Sequence, residues 1–360
     1  RRVITRAVTQ TSWPAAPQRS IGKHLPVVIG EDVQVQTYRI LVDSTPNFAY
    51  ATTLNGEHGV GGVQTYYIKT NSGDFKEVKS AAAVGTAVID MNPSTTSSSE
   101  YDMVNEALAF EIDYTFETDN YVITKGELEL HDTNSGAAIQ SERYLKLELR
   151  DGITRAGLDI PSDNVLGVAY VQKADYEGTW NNTPGGGDFT IDFNFDPPAP
   201  LTKDSKHWLV VSNSHDDDTL QGQTRIALQV TPDFTSEWRI NRADAAGAET
   251  WSDISASGIQ LKLYGIVMTD DTATGEDANG LGFANFEVTQ PTAGTGQDLS
   301  DLNALEFIVD IDGLRDDAGG SITGTAGKQI SRPDEAIKLL SQLYTTDWAS
   351  PQIDDTDFAT

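Results

Sequence analysis

The chain has no cysteine among its 360 residues. Disulfide staples, thiolate metal ligands and cysteine nucleophiles are therefore excluded together. Long apolar runs are missing as well. No stretch approaches the roughly 18–20 residues a helical membrane span requires, and mean hydropathy is −0.36. Positive charge is scarce: 25 Lys and Arg stand against 54 Asp and Glu, a formal net charge of −29. A general nucleic-acid binder needs the opposite sign, because its affinity comes from cations that displace phosphate counterions. The few bases are also concentrated. Arg1, Arg2, Arg6, Arg19, Lys23 and Arg39 fall in the first forty residues, facing only Glu31 and Asp32. From Asp270 onward there are 18 acids and 4 bases. Like-charged surfaces of this kind resist nonspecific association.

Catalytic signatures are equally sparse. The sequence contains no nucleophile-elbow serine, phosphate-binding loop or dinucleotide fingerprint. His24, His58, His131, His207 and His215 show no metal-ligand spacing and read as surface or strand histidines. Glycoside hydrolysis would need two carboxylates across a cleft, and so many acids form chance pairs that none stands out. The chain is read as non-enzymatic. It opens Arg1-Arg2-Val3 and is expected to be part of a longer or processed polypeptide.

What the sequence does have is strand patterning. Val33–Ile40 alternates with period two, and Val63–Lys69 is β-branched and aromatic, followed by the turn residues Asn71-Ser72-Gly73-Asp74. Leu108, Phe110, Ile112, Tyr114 and Phe116 alternate, as do Leu145–Arg150, Phe189–Phe195 and Ile259–Tyr264. Thr183–Gly187 and Asp196–Pro200 look like turns between them. Many short alternating strands imply a mainly β fold with an antiparallel jelly roll or β-sandwich, whose inward residues should include Phe110, Ile112, Leu147, Phe193 and Leu263. The polar run 92–100 and the acidic stretch Asp270–Asn279 mark boundaries. They give an N-terminal β domain (1–92), a sandwich (100–269) and a short α+β C-terminal segment (280–360). In the last, Ser331-Arg332-Pro333-Asp334-Glu335 opens a helix, with Pro and acids where a helix start favours them. Ala336, Ile337, Leu340, Leu343 and Tyr344 follow at one-face spacing.

Two clusters in the sandwich invite a ligand. Tyr170, Tyr176, Trp180, Trp208, Trp238 and Trp251 lie in or beside expected loops and strand ends. A sugar ring offers an apolar face that stacks on exposed aromatics, with polar neighbours bonding its hydroxyls. Trp180, between Gly178-Thr179 and Asn181-Asn182, is expected to be exposed; with Tyr176 and Asn181 it is the candidate glycan contact. Trp208 leads an apolar strand and also reads as core. Asp216, Asp217 and Asp218 follow His215 after a strand and are the candidate calcium ligands. Asp310-Ile311-Asp312-Gly313 is like the first half of a calcium loop, but it lacks the later bidentate Glu and reads as a solvated acidic turn. No other cofactor is expected.

The run Ser20-Ile21-Gly22-Lys23-His24-Leu25-Pro26-Val27-Val28-Ile29-Gly30-Glu31 resembles a segment of the tail-hub and tail-tip (baseplate) proteins of tailed bacteriophages. At the far end Gly313–Asp317, Thr323–Gly327 and Ile330–Leu340 are similar to the turn–strand–helix connection of the same group. The middle body, through Phe193–Thr202, His207–Val211 and Leu261–Gly265, looks like a carbohydrate-binding-like sandwich module. The resemblance implies a structural virion protein at the tail tip, with the C-terminal segment resuming the N-terminal hub domain. It further implies a homotrimer, contacts with distal-tail, tape-measure and fibre proteins, and host-surface glycan contact. No nucleic-acid partner and no membrane span are expected. A cell-surface carbohydrate-binding protein and a glycan-degrading tail enzyme are the alternatives.

Overall fold

The computed structural model of the chain describes residues 5–42, 47–54, 58–69, 73–91, 98–102, 106–113, 119–132, 144–172, 187–213, 225–229, 238–243, 249–253, 260–276, 282–291 and 305–344. They form two compact units. The first combines Arg1–Val78, Met268–Thr289 and Leu305–Thr360; the second combines Lys79–Val267 and Gln290–Ala304. The second is thus inserted, in chain order, into the first.

The first unit begins with β1 (Thr5–Ala7), a 3-10 turn (Gln18–Ser20) and β2 (His24–Pro26). It continues through β3 (Val33–Gln36), β4 (Tyr38–Val42), β5 (Asn47–Leu54), β6 (Gly59–Lys69) and β7 (Phe75–Val78). The second unit opens with β8 (Ala87–Met91), β9 (Ser98–Asp102), β10 (Glu106–Asp113), β11 (Tyr121–Asp132), β12 (Tyr144–Arg155) and β13 (Leu158–Gln172). Next come β14 (Gly187–Leu201), β15 (Lys206–Asn213), β16 (Arg225–Gln229), β17 (Trp238–Ala243), β18 (Glu249–Asp253) and β19 (Leu261–Gly265). The chain then supplies β20 (Val267–Glu276), β21 (Gly282–Thr289), β22 (Phe307–Arg315) and α1 (Pro333–Tyr344).

The fold is mainly β, as the alternation predicts. In the second unit a six-stranded sheet, β13-β12-β15-β10-β17-β18, packs on a four-stranded one, β14-β11-β19-β8. Alternate residues turn inward: Leu108, Phe110, Ile112, Leu145, Leu147 and Leu149 from the larger sheet meet Ile123, Leu128, Ile191, Phe193, Leu261 and Leu263 from the smaller. Each such side chain contributes on the order of 1.5–3 kcal/mol by burial. Phe193 lies over the cross-strand Gly126, where any Cβ would stand 2.2 Å from its ring. Asp196–Pro200 departs from the expected turn: these residues belong to β14, and Ala199 is fully buried. The prolines fit because β14 is an edge strand, so their missing N–H groups interrupt no second ladder.

The first unit holds two four-stranded sheets, β20-β21-β5-β4 and β3-β22-β6-β7. Their facing sides meet in an aromatic cluster: Tyr50 stacks on Phe286 at 5.3 Å, and Phe307 and Tyr66 approach edge-on at 5.0–5.5 Å. The other side of β5 is covered by the N-terminal arm, where Val8, Trp13, Ala16 and Leu25 pack on Ala49, Ala51 and Phe283. Acidic residues from Asp270 belong to edge strand β20, where Asp270 accepts the Val63 N–H at 2.8 Å. Asp310-Ile311-Asp312-Gly313 is strand, not turn. Val309 and Ile311 face the core, while Asp310 accepts the Tyr67 hydroxyl at 2.7 Å and Asp312 accepts the Asp32 N–H.

Helix α1 starts where its sequence predicts, but it buries a different face. Glu335 is 1% exposed and accepts the N–H groups of Ser331 and Arg332 at 3.0 Å each. A carboxylate at this position satisfies two orphan donors of the helix start. Turning Glu335 inward brings Leu339, one turn on, into the core and leaves Ile337 45% exposed. Among the described residues, no helix is long and apolar enough to cross a membrane.

Candidate functional site

Tyr176, Trp180 and Asn181, the candidate glycan contacts, lie outside the described residues, as do Asp216, Asp217 and Asp218. Their anchoring strands are described. Leu145 of β12 pairs with Val171 on one side and Asn213 on the other. Segments 173–186 and 214–224 are therefore rooted at the same end of the six-stranded sheet. Of the other aromatics, Tyr170 is 39% exposed, whereas Trp208 is fully buried with Ala107, Ala109, Val210 and part of Trp251.

Opposite the sandwich core, the six-stranded sheet carries a row of paired charges. The alternation that sends Leu145, Leu147 and Leu149 inward sends Lys146, Glu148 and Arg150 to the other side. Glu148 joins Lys146 at 2.7 Å and Arg150 at 2.6 Å. Burial pushes its carboxyl up, but the two cations outweigh this and hold it below the ordinary glutamate range. Next to it, Lys206 bridges Asp159 and Glu111, each at 2.8 Å, and these bonds raise its ammonium well above the usual lysine value. A glycosidase acid needs a carboxyl kept protonated near neutrality. Ion pairing of this kind works against that.

The smaller sheet presents a shallow depression lined by Asp90, Met91, Glu127, Glu129, Thr190, Gln260 and Lys262. Lys125 spans Glu127 and Asp192 at 3.1 and 3.3 Å beside it. Burial first, then a hydrogen bond to Glu127, raises the Tyr264 phenol. This open sheet face carries four carboxylates (Asp90, Glu127, Glu129 and Asp192) against two ammonium groups (Lys125 and Lys262).

A tighter constellation sits in the first unit. The β6–β22 ladder ends with Gly59 opposite Arg315, so His58 and Asp316, one residue further out, stand across from each other. Asp317 follows, and one ligating atom from each of the three lies within 4.8 Å of the others. The carboxylates are fixed from behind. Asp316 accepts the N–H groups of Asp317, Ile322 and Thr323 and the Thr323 hydroxyl; these hold its carboxyl low against the upward push of burial. Asp317 accepts the Ser321 hydroxyl and the N–H groups of Ser321 and Gly319, which lower it too. His58 is 5% exposed, and neither ring nitrogen bonds to any described residue; its Nδ1 is fully enclosed. The surface-or-strand reading of the histidines thus fails for His58, which is buried beyond its strand, and His207 is buried within one. Sequence spacing carries no signal for this group, because β6 and β22 come from opposite ends of the chain. No family model, no curated protein and no solved structure matches the chain.

Proposed function

We propose that the chain is a non-enzymatic structural component of a viral tail tip or baseplate, with the second unit as an inserted attachment module. One observation carries this reading. The two remote segments that resemble tail-hub proteins meet in space: Leu314 and Gly313 donate their N–H groups to the carbonyls of Val28 and Gly30 at 3.0 and 2.8 Å. Gly30 donates to Ile330 O at 3.2 Å, and the Gln329 side-chain amide donates to Gly30 O at 2.7 Å. Two similarities that could be coincidental apart gain weight as halves of one hydrogen-bonded element. Gly313 is demanded by that contact, since a Cβ there would lie 2.5 Å from Val28 O.

Immunogold labelling of virus particles with antibodies to the recombinant chain tests the reading. Label at the tail tip is expected, together with a trimer by light scattering. Label on the capsid, or on no particle, would overturn it. Within this reading the second unit makes weak contact with host-surface glycans through Tyr176, Trp180 and Asn181, helped by calcium at Asp216–Asp218. The shared root of the two carrying segments supports this, and repetition over several copies would supply avidity. A glycan array probed with the multimer should show calcium-dependent retention that Trp180→Ala removes; no retention under either condition refutes it.

A further inference from the structure

We propose that His58, Asp316 and Asp317 form a binding site for a divalent cation of the class served by mixed imidazole and carboxylate ligands, zinc being the type ion. The inference is independent of the viral reading. A buried imidazole without a hydrogen-bond partner costs about 1–3 kcal/mol, and native structures seldom leave one without cause. The ring belonging to His58 faces two ionised carboxylates, yet forms no hydrogen bond with either. Donors around a tetrahedral zinc ion stand about 3.4 Å apart, given bond lengths of about 2.0–2.2 Å. Atoms within 4.8 Å of one another reach that spacing when their side chains close by at most about 1.4 Å.

The surroundings match what a metal site needs beyond its ligands. Ligating carboxylates are ordinarily oriented by hydrogen bonds from behind, and Asp316 and Asp317 are held that way by the loop they open. The accepting capacity is unequal. Both Asp316 oxygens already take more than one bond, whereas Asp317 Oδ2 takes only the Ser321 hydroxyl. Asp317 and His58 are accordingly the inner ligands, and Asp316 adds mainly negative charge. Imidazole argues against calcium, which takes oxygen ligands, and favours a borderline ion. Bound there, the cation ties the loop after β22 to the start of β6.

The test uses the intact chain, stripped with a chelator and titrated with zinc, and with calcium as a control. One tightly held zinc per chain is expected, with a melting temperature raised by about 3 °C or more and no comparable effect of calcium. Both the retained zinc and the shift should vanish in Asp317→Asn and in His58→Gln. X-ray absorption at the zinc edge of the unaltered protein should show one imidazole among oxygen ligands, a readout that needs no variant to fold. The proposal is overturned if no zinc is retained, if zinc is kept undiminished by both variants, if the edge shows no imidazole or more than one, or if calcium alone stabilises.

Discussion

The two units share a plan, two sheets packed face to face, and build it from different materials. The second uses long strands and an aliphatic-rich core, and places buried ion pairs on the outside of its larger sheet. The first uses shorter strands, an aromatic cluster between its sheets and side chains that cap loops and helix starts. A continuous core tolerates buried charge beside it only when each charge is paired. A unit assembled from distant pieces depends instead on local polar staples that hold its connections in place. The contrast predicts that the units fail separately and for different reasons.

Core truncation gives the largest effect. Phe193→Ala should cost about 3–5 kcal/mol and speed hydrogen exchange in the second unit alone, while Phe286→Ala does the same in the first. Loss of protection spreading equally through both units in either variant would break the comparison. Glu148→Ala comes next, at about 3 kcal/mol, because it breaks the buried ion pair that Glu148 makes with Arg150; denaturant melts followed by exchange would place the loss in the second unit. Gly313→Ala should cost the first unit about 1–3 kcal/mol, by forcing Val28 away from β22. Unchanged exchange at Val28 and Gly30 would count against that contact.

The smallest effect is a matter of pH. Hydrogen bonds from Ser331 and Arg332 outweigh burial and hold the Glu335 carboxyl below its ordinary range. The sign follows from that direction. The stabilisation is complete above the unfolded glutamate value of about 4.3 and is lost as pH falls through the lower folded value. Glu335→Gln should therefore lower stability by about 1 kcal/mol at pH 7, and the difference should shrink by pH 3. Thermal melts of both proteins at the two pH values check it; a gap that widens on acidification would contradict the assignment.

How legible each unit was in the sequence follows the same contrast. In the second, Phe110, Ile112, Leu147, Phe193 and Leu263 reveal their inward direction because alternation is a local property, and all five are buried. The Asp196–Pro200 strand was hidden because proline normally signals a turn, and only its edge position makes it harmless. In the first unit the start of α1 was readable from Pro333, Asp334 and Glu335, but its buried face was not, since Glu335 turns inward to cap. The pairing of β22 with β3 and β6 has no local signature at all. The candidate metal site inherits that opacity, since a histidine near the beginning meets carboxylates near the end only once those strands have paired.

That pairing also orders events in time. β22 lies between β3 and β6 in its sheet, so on the ribosome the early strands cannot complete that sheet until residue 315 has emerged. At roughly 5–20 residues per second, the interval after β6 is on the order of ten seconds to a minute. The whole second unit is synthesised within it and can fold while the first still shows its unpaired edges. The nascent protein therefore passes through a stage in which its inserted portion is finished and its host portion is not, the stage at which chaperone capture or mispairing between neighbouring chains has most opportunity.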